Sequence, residues 1–504
     1  MSEPRKHIFG QIARILYTLE PFPMSPEFSD TTLSQSKSGF SRPLLVLISV
    51  FFFWGFVAAS NTILIPVFKK HFSLLQWQSQ LVDSAFYIAY TVGALIYFLL
   101  SSFRGDPLNR FGYKNGLVAG LLISAIGAFG FWPAARLESF PLMLTSLFVV
   151  ALGFALQQIV ANPYVIALGK PDTGSHRVNL AGGINSFGTT IGPLILGYAI
   201  FGSVSGTGEI TDFSTVGTPY LWLGFSFIAF AALFFFSTLP AIKKEEKAQT
   251  EMGAFRFPQV WLGMAAIFVY VGVEVSIQSN LPELMTRTEI LGLPAEKTVH
   301  FISLYWGCLM IGRWTGALEV FDLSPTTKNM LKVMVPLLAF AVILGVNFIK
   351  GSPLSDLINF LPWLGILIIG FFLSKLKPVR TMILFSLMAG VMMMIGILTE
   401  GKPALYSFIS CGLFCSVMWP CIFSLSIAGL GKYTNQASSL LIMMIMGGAF
   451  IPPLQGWIAD VAGIKISYLI PLAGFAYLAL FGILVKKALL KQNINYDKSI
   501  SSRD

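Results

Sequence analysis

Residues 43–66 read PLLVLISVFFFWGFVAASNTILIP, without a charged side chain between Pro43 and Pro66. A helix needs about 20 mostly apolar residues to cross the hydrocarbon core of a bilayer, and this stretch is long enough. Comparable blocks follow at 81–101, 115–134, 141–168, 180–202, 217–238, 258–280, 298–318, 330–348, 355–374, 380–398, 404–430, 436–460 and 467–486, about fourteen in all by that length. They are continuous runs, not alternations of apolar and polar residues, which excludes a β-barrel. Composition agrees: 55% of the 504 residues are hydrophobic and 12% charged, against roughly 25% charged in soluble proteins. An all-α membrane protein is expected, with the lipid bilayer as its solvent.

The net charge of +10 does not point to nucleic acid, because of where the charges fall. Arg104, Arg110 and Lys114 follow the second block, Lys243, Lys244 and Lys247 the sixth, and Lys486, Lys487 and Lys491 the last. Glu209 and Asp212 lie after the fifth. Basic residues gather on the cytoplasmic side of membrane proteins, so both termini are expected there, although Lys69 and Lys70 run against the bias. Residues 1–42 are polar and lack the apolar core of a cleaved signal, so a cytoplasmic tail is expected.

The longest polar break, Ile242–Glu251, divides six blocks from eight. The expected organisation is a first bundle at 43–240, a linker at 241–256, a second bundle at 257–488 and a cytoplasmic tail at 489–504. Two related bundles are a common plan among transporters. A weak repeat supports it: Asn162-Pro163 precedes Gly192-Pro193-Leu194, as Trp419-Pro420 precedes Pro452-Pro453-Leu454. Each second element also follows a Leu-Gly-Lys turn, Leu168–Lys170 or Leu430–Lys432.

The stretch Gly105-Asp106-Pro107-Leu108-Asn109-Arg110-Phe111-Gly112-Tyr113-Lys114 resembles the cytoplasmic signature of the major facilitator superfamily, with its acidic residue displaced. Such a short basic loop can pair with helix C-termini and hold one gate closed, which makes Asp106, Arg110 and Lys114 gating candidates. Further motifs, in order, are Phe86-Tyr87, Ala161-Asn162-Pro163-Tyr164-Val165, Arg177-Val178-Asn179-Leu180-Ala181 and Asn185-Ser186-Phe187-Gly188. Tyr270-Val271-Gly272, Ile311-Gly312-Arg313-Trp314-Thr315-Gly316 and Pro420-Cys421-Ile422-Phe423-Ser424-Leu425 continue them. From about 45 to 485 the chain is similar to the fucose:proton symporter family. The resemblance implies a major facilitator fold of two pseudo-symmetric six-helix bundles and alternating-access transport of a monosaccharide. The chain departs from the family's fucose carriers in having Thr62 and Gln158 where they have carboxylates associated with coupling and sugar recognition. It also carries two extra apolar blocks at about 321–376, an inserted helix pair that preserves the downstream topology.

Charges and amides in hydrocarbon each call for a reason. Glu274 stands between Val273 and Val275, with Tyr270 and Gln278 one turn away on the same helix face. Carboxylate, amide and phenol together suit sugar hydroxyls, which both donate and accept. The resemblance adds that fucose carriers have glutamine at this position and glucose and galactose carriers tend to have glutamate. A buried carboxylate can also bind and release a proton, so Glu274 is the first candidate for cation coupling; the rival reading is a hydrogen bond between helices. Asp83, ahead of Tyr87 and Tyr90, is either a helix cap or a second coupling site. Gln157, Gln158 and Asn162, interrupted by Pro163, form a stripe that fits a cavity wall as well as helix–helix contacts. Asn61, Thr62 and Asn185 belong to the same class, and Trp54 and Trp419 are candidate stacking platforms for a sugar ring. Arg313 must pair or face water, and a clamp with Glu274 is one solution.

No Gly-x-x-x-x-Gly-Lys-[Ser/Thr] occurs, which disfavours an ATP-driven pump. Cys308, Cys411, Cys415 and Cys421 lie in apolar blocks without His or carboxylate neighbours, so neither metal nor cofactor is expected. A membrane-embedded enzyme would need a large polar loop or a carboxylate pair near the headgroups, and a sensor would need larger tails. The expected function is import of a neutral hexose, coupled to a proton or else to sodium, by a monomer in a bacterial inner membrane.

Overall fold

The computed structural model describes residues 42–74, 78, 81–169, 173–201, 213–240, 252–293 and 298–494. The first half contains α1 (Arg42–His71), α2 (Leu81–Arg104), α3 (Tyr113–Arg136), α4 (Phe140–Ala167), α5 (Gly174–Phe201) and α6 (Thr218–Phe236). The second contains α7 (Pro258–Thr286), α8 (Val299–Gly316), α9 (Pro325–Ile349), α10 (Leu361–Ser374) and α11 (Pro378–Leu398). It continues with α12 (Gly401–Cys415, resuming as Met418–Ser426), α13 (Thr434–Met443, resuming as Gly447–Ala462) and α14 (Leu469–Lys491). Proline in the first turn opens α4, α6, α7, α9, α10 and α11, where its missing N–H forfeits no helical bond and its φ is already helical.

Twelve helical stretches among the described residues are long and apolar enough to cross a membrane. α8, which carries His300 and Arg313, is too polar for that group, and α5 carries Arg177, Asn179 and Asn185 in its first part. These two helices pack against each other between the halves.

Within the first half α1 lies on α5, and α3 lies on α4 and α6. In the second, α7 lies on α13 and α14, and α11 on α12 and α14. The α1–α5 seam is backbone against backbone. A Cβ at Gly55 would stand 2.0 Å from the Asn185 carbonyl oxygen, and one at Gly188 would stand 2.3 Å from that of Phe52. Small residues allow such approaches in membranes, where dispersion and polar contacts drive helix association.

The inserted pair is α9–α10, packed on α8, α11 and α12. Asn347 Nδ2 donates to Ser303 Oγ of α8 (3.2 Å), and Trp363 Nε1 to Ser407 Oγ of α12 (3.3 Å). Tyr406 OH donates to the Asp356 carbonyl in the α9–α10 connection (2.6 Å). Lys375 and Leu376, both left-handed at φ 52° and 54°, reverse the chain into α11.

Gly188→Ala is expected to destabilise the protein by about 1–3 kcal/mol through overpacking, read as a lowered melting temperature in detergent. Gly345→Ala in α9, where a Cβ meets nothing within 4 Å, is the control. It should leave stability equal or slightly raised, since alanine is the better helix former.

Candidate functional site

Two prolines shape the contacts between the halves. A proline inside a helix lacks the N–H that would bond the carbonyl four residues earlier. Pro420 thus frees the Ser416 carbonyl, at the point where α12 breaks. Arg313 Nε donates to that oxygen at 3.2 Å. The two chains approach closely there because Gly312 has no Cβ, which would otherwise stand 1.8 Å from Ser416 Oγ. Pro163 frees the Ile159 carbonyl in α4, and Ser438 Oγ of α13 donates to it at 3.1 Å, across the two halves.

Arg313 spends its remaining donors in two directions. Nη1 donates to Ser186 Oγ of α5 at 2.8 Å, and Nη2 stands 4.0 Å from Glu274 Oε1 of α7. A largely enclosed guanidinium is tolerable with two hydrogen bonds and a facing carboxylate. Glu274 is 8% exposed, and its backbone carbonyl accepts from Tyr305 OH at 2.8 Å. One turn earlier, the buried Tyr270 hydroxyl lies near the Glu274 carboxylate without hydrogen-bond geometry to it. The Tyr270 and Trp419 rings are 6.2 Å apart. Gln278 is half-buried on the same helix. Carboxylate, guanidinium, phenol and indole are thus gathered on the inner side of the second half.

The first half contributes amides. Gln158 Nε2 donates to Tyr90 OH (3.0 Å), and Asn162 Nδ2 to the Gln158 carbonyl (3.0 Å). Trp54 is buried, with its Nε1 donating to Gln157 Oε1 (3.0 Å), and Gln157 Nε2 donates to Ser124 Oγ (3.1 Å). Trp54 therefore anchors α1 to α4 within the first half. Asn185 Nδ2 donates to the Phe51 carbonyl (3.0 Å) across the glycine seam. Tyr87 meets the second half: a Cβ at Gly448 of α13 would stand 3.1 Å from its ring.

The halves are fastened at the end bearing the α2–α3 and α12–α13 turns. Asn435 Nδ2 donates to Asp106 Oδ2 (2.6 Å), and Tyr113 OH to Asn435 Oδ1 (2.5 Å). Asp106 Oδ1 also caps Leu108 N (2.9 Å) and accepts from Tyr97 OH (2.5 Å). Gln436 Nε2 donates to Ser102 Oγ (3.1 Å), and Trp314 Nε1 to the Gly183 carbonyl (3.2 Å). Lys114 instead stays within its own half, donating to the Phe235 and Ser237 carbonyls (2.9 and 3.3 Å) at the end of α6.

Glu274, Tyr270, Arg313 and Trp419 are therefore gathered together, Gln158 and Asn162 are linked to each other, and Trp54 and Asn185 lie in separate contacts. The side chains of Asn61, Thr62, Asp83 and Arg110 lie outside the described residues. Ser186, Ser416, Tyr305, Asn435 and Ser438 were not singled out as site residues from the sequence, since neutral polar residues are unexceptional in membrane helices. One of them had a usable signal: counting four residues back from Pro420 finds the Ser416 carbonyl that Arg313 meets, as the same count from Pro163 finds the Ile159 carbonyl that Ser438 meets. Among the described residues no group of three or more His, Cys, Asp or Glu could hold a metal ion.

A family model of the Major Facilitator Superfamily matches residues 45–365. The chain is 32% identical over 460 residues to a glucose/galactose transporter of Brucella abortus, covering 91% of this chain and 97% of that one. It is 28% identical over 477 residues to the L-fucose-proton symporter of Escherichia coli K12, covering 90% and 94%. Among solved structures it resembles the major facilitator transporter FucP in the outward conformation, with a TM-score of 0.69, 26% identity, and coverage of 89% of this chain and 99% of that one. With twelve apolar spans among the described residues, a fold shared with FucP and sequence kinship along nearly its whole length, the chain belongs to the major facilitator superfamily as a multi-pass integral membrane transporter.

Proposed function

We propose that the protein imports a neutral hexose of the glucose and galactose class by alternating access, driven by protons that bind Glu274. The observation that carries this reading is the buried Glu274 beside Arg313, whose guanidinium also holds Ser186 of the other half. Protonating Glu274 removes the charge that Arg313 faces and so bears on the contact between the halves. Tyr270, Gln278, Trp419, Gln158 and Asn162 supply the donors, acceptors and ring faces that a sugar uses. The relatives named for glucose, galactose and L-fucose support a monosaccharide. Sodium coupling or simple facilitation, and L-fucose or N-acetylglucosamine as substrate, are the alternatives, and Asp83 is a second coupling candidate.

Residues 43–240 and 257–488 are the two moving bundles, with the linker at 241–256 and the pair at about 321–376 travelling with the second. The charge pattern supports cytoplasmic termini and, for a bacterial cell, residence in the inner membrane. The fastened end is then the cytoplasmic one, and the molecule faces outward. Asp106 and Asn435 serve as its gate, and Lys114 steadies the loop that carries Asp106.

One unit charge moving through 100 mV supplies about 2.3 kcal/mol, enough for roughly 50-fold accumulation. Uptake by proteoliposomes of labelled glucose, galactose, mannose, L-fucose and N-acetylglucosamine tests the substrate. Glucose or galactose should accumulate under an inward proton gradient and only equilibrate without one. Accumulation driven by sodium at equal pH would refute proton coupling. Glu274→Gln should abolish concentrative uptake while sparing counterflow exchange; a variant that still concentrates sugar would remove Glu274 from the coupling role. Asn435→Ala severs two short bonds at the fastened end and should shift the population toward the state open there by about 5- to 100-fold. Spin-label distances across α2 and α13 would register that shift as a longer separation.

A further inference from the structure

A small cavity lies at the fastened end, where the start of α5 meets the turn from α10 to α11. It measures about 10 Å³, enough for a single water molecule. Ser175 and Asn179 of α5 line it from the first half, and Thr381 of α11 from the second. They are 1%, 3% and 3% exposed, and Ser175 Oγ, Asn179 Oδ1 and Thr381 Oγ1 each lack a hydrogen-bond partner within the protein. Three orphaned oxygens around one cavity are unusual, because buried polar groups are nearly always satisfied by protein or ordered water. Phe371 and Leu376, at the end of the inserted pair, form part of the wall.

The chemistry of the lining selects the occupant. No carboxylate lines the cavity, and the neighbouring His176 already uses Nδ1 on the Gly316 carbonyl at 2.9 Å. A dehydrated cation there would lack a compensating charge. Water can donate to the Asn179 oxygen and to one hydroxyl and accept from the other. Resting on the alternating-access reading, we propose that this cavity binds one water molecule that bridges Ser175, Asn179 and Thr381 and locks the two halves together at this end. The inserted pair thereby helps enclose a gate contact as well as adding helices at the periphery. Opening this end separates α5 from α11, and the three oxygens pass to bulk water.

Cys421 also lines the cavity and is 3% exposed, which makes it a built-in reporter. Its alkylation by N-ethylmaleimide, followed peptide by peptide in the full-length protein, measures opening. Thr381→Val keeps the shape and deletes the hydroxyl, and should raise the alkylation rate about 5-fold. Ser175→Ala should act in the same direction, while Thr381→Ser, which retains the hydroxyl, should stay near the parent rate. A structure resolving ordered solvent should show one peak within hydrogen-bonding distance of all three oxygens. Parent-like rates in both Thr381→Val and Ser175→Ala, or a cavity without that peak, would overturn the proposal. So would Cys421 protection that vanishes when sodium is replaced by choline, which would mark the occupant as a cation. Hexose uptake by the parent protein, assayed in parallel, tests the transport reading separately, because the alkylation readout requires no sugar.

Discussion

Within hydrocarbon, a backbone carbonyl that loses its helical partner must find another. Pro163 and Pro420 each create such a carbonyl, at related positions of the two halves. At Pro420 the remedy is Arg313, and the arginine then needs its own partners, which brings Ser186 from the first half and sets Glu274 opposite it. At Pro163 the remedy is Ser438 from the second half. Both defects are therefore repaired through residues that tie the halves together or bring their charges into register. The polar interior follows from two missing N–H groups as much as from any single charged side chain.

These repairs also explain why neighbouring residues are small. Gly312 admits Ser416 beside the arginine, Gly55 and Gly188 bring α1 onto α5, and Gly448 accepts the ring of Tyr87. The first half is fastened internally along its α1–α5 seam and by Trp54 through Gln157 to Ser124. Many of the contacts between the halves are short polar ones on Asn, Gln and Ser side chains. Such contacts can be exchanged for water at modest cost, as a reversible closure requires.

The helical architecture was legible because spanning length and charge exclusion act on every residue of a block. Even the inserted pair was visible, as two additional apolar runs. Glu274 and Arg313 were legible for the same reason, since each is an ionised group where few are tolerated. Their partners were not. Serine and asparagine are common in membrane helices, and nothing in the local sequence distinguishes Ser186, which meets the arginine, from Ser410, which bonds the Ser407 carbonyl of its own helix. Trp54 was read as a sugar platform from its type and depth, whereas its indole is tied to Gln157, a pairing between residues 103 positions apart. Asn435 begins an apolar block as an ordinary polar residue, and only the fold brings it to Asp106.

The inserted helices have a mechanical corollary. Met330, Met334, Leu338, Ile369 and Leu373 on α9 and α10 are exposed, so the pair widens the lipid-facing perimeter of the second half alone. Two bodies turning against each other in a viscous sheet divide their rotation in inverse proportion to their drag. In the alternating-access cycle proposed above, the broader half therefore takes the smaller share of the rotation relative to the surrounding lipid, and α1–α6 take the larger.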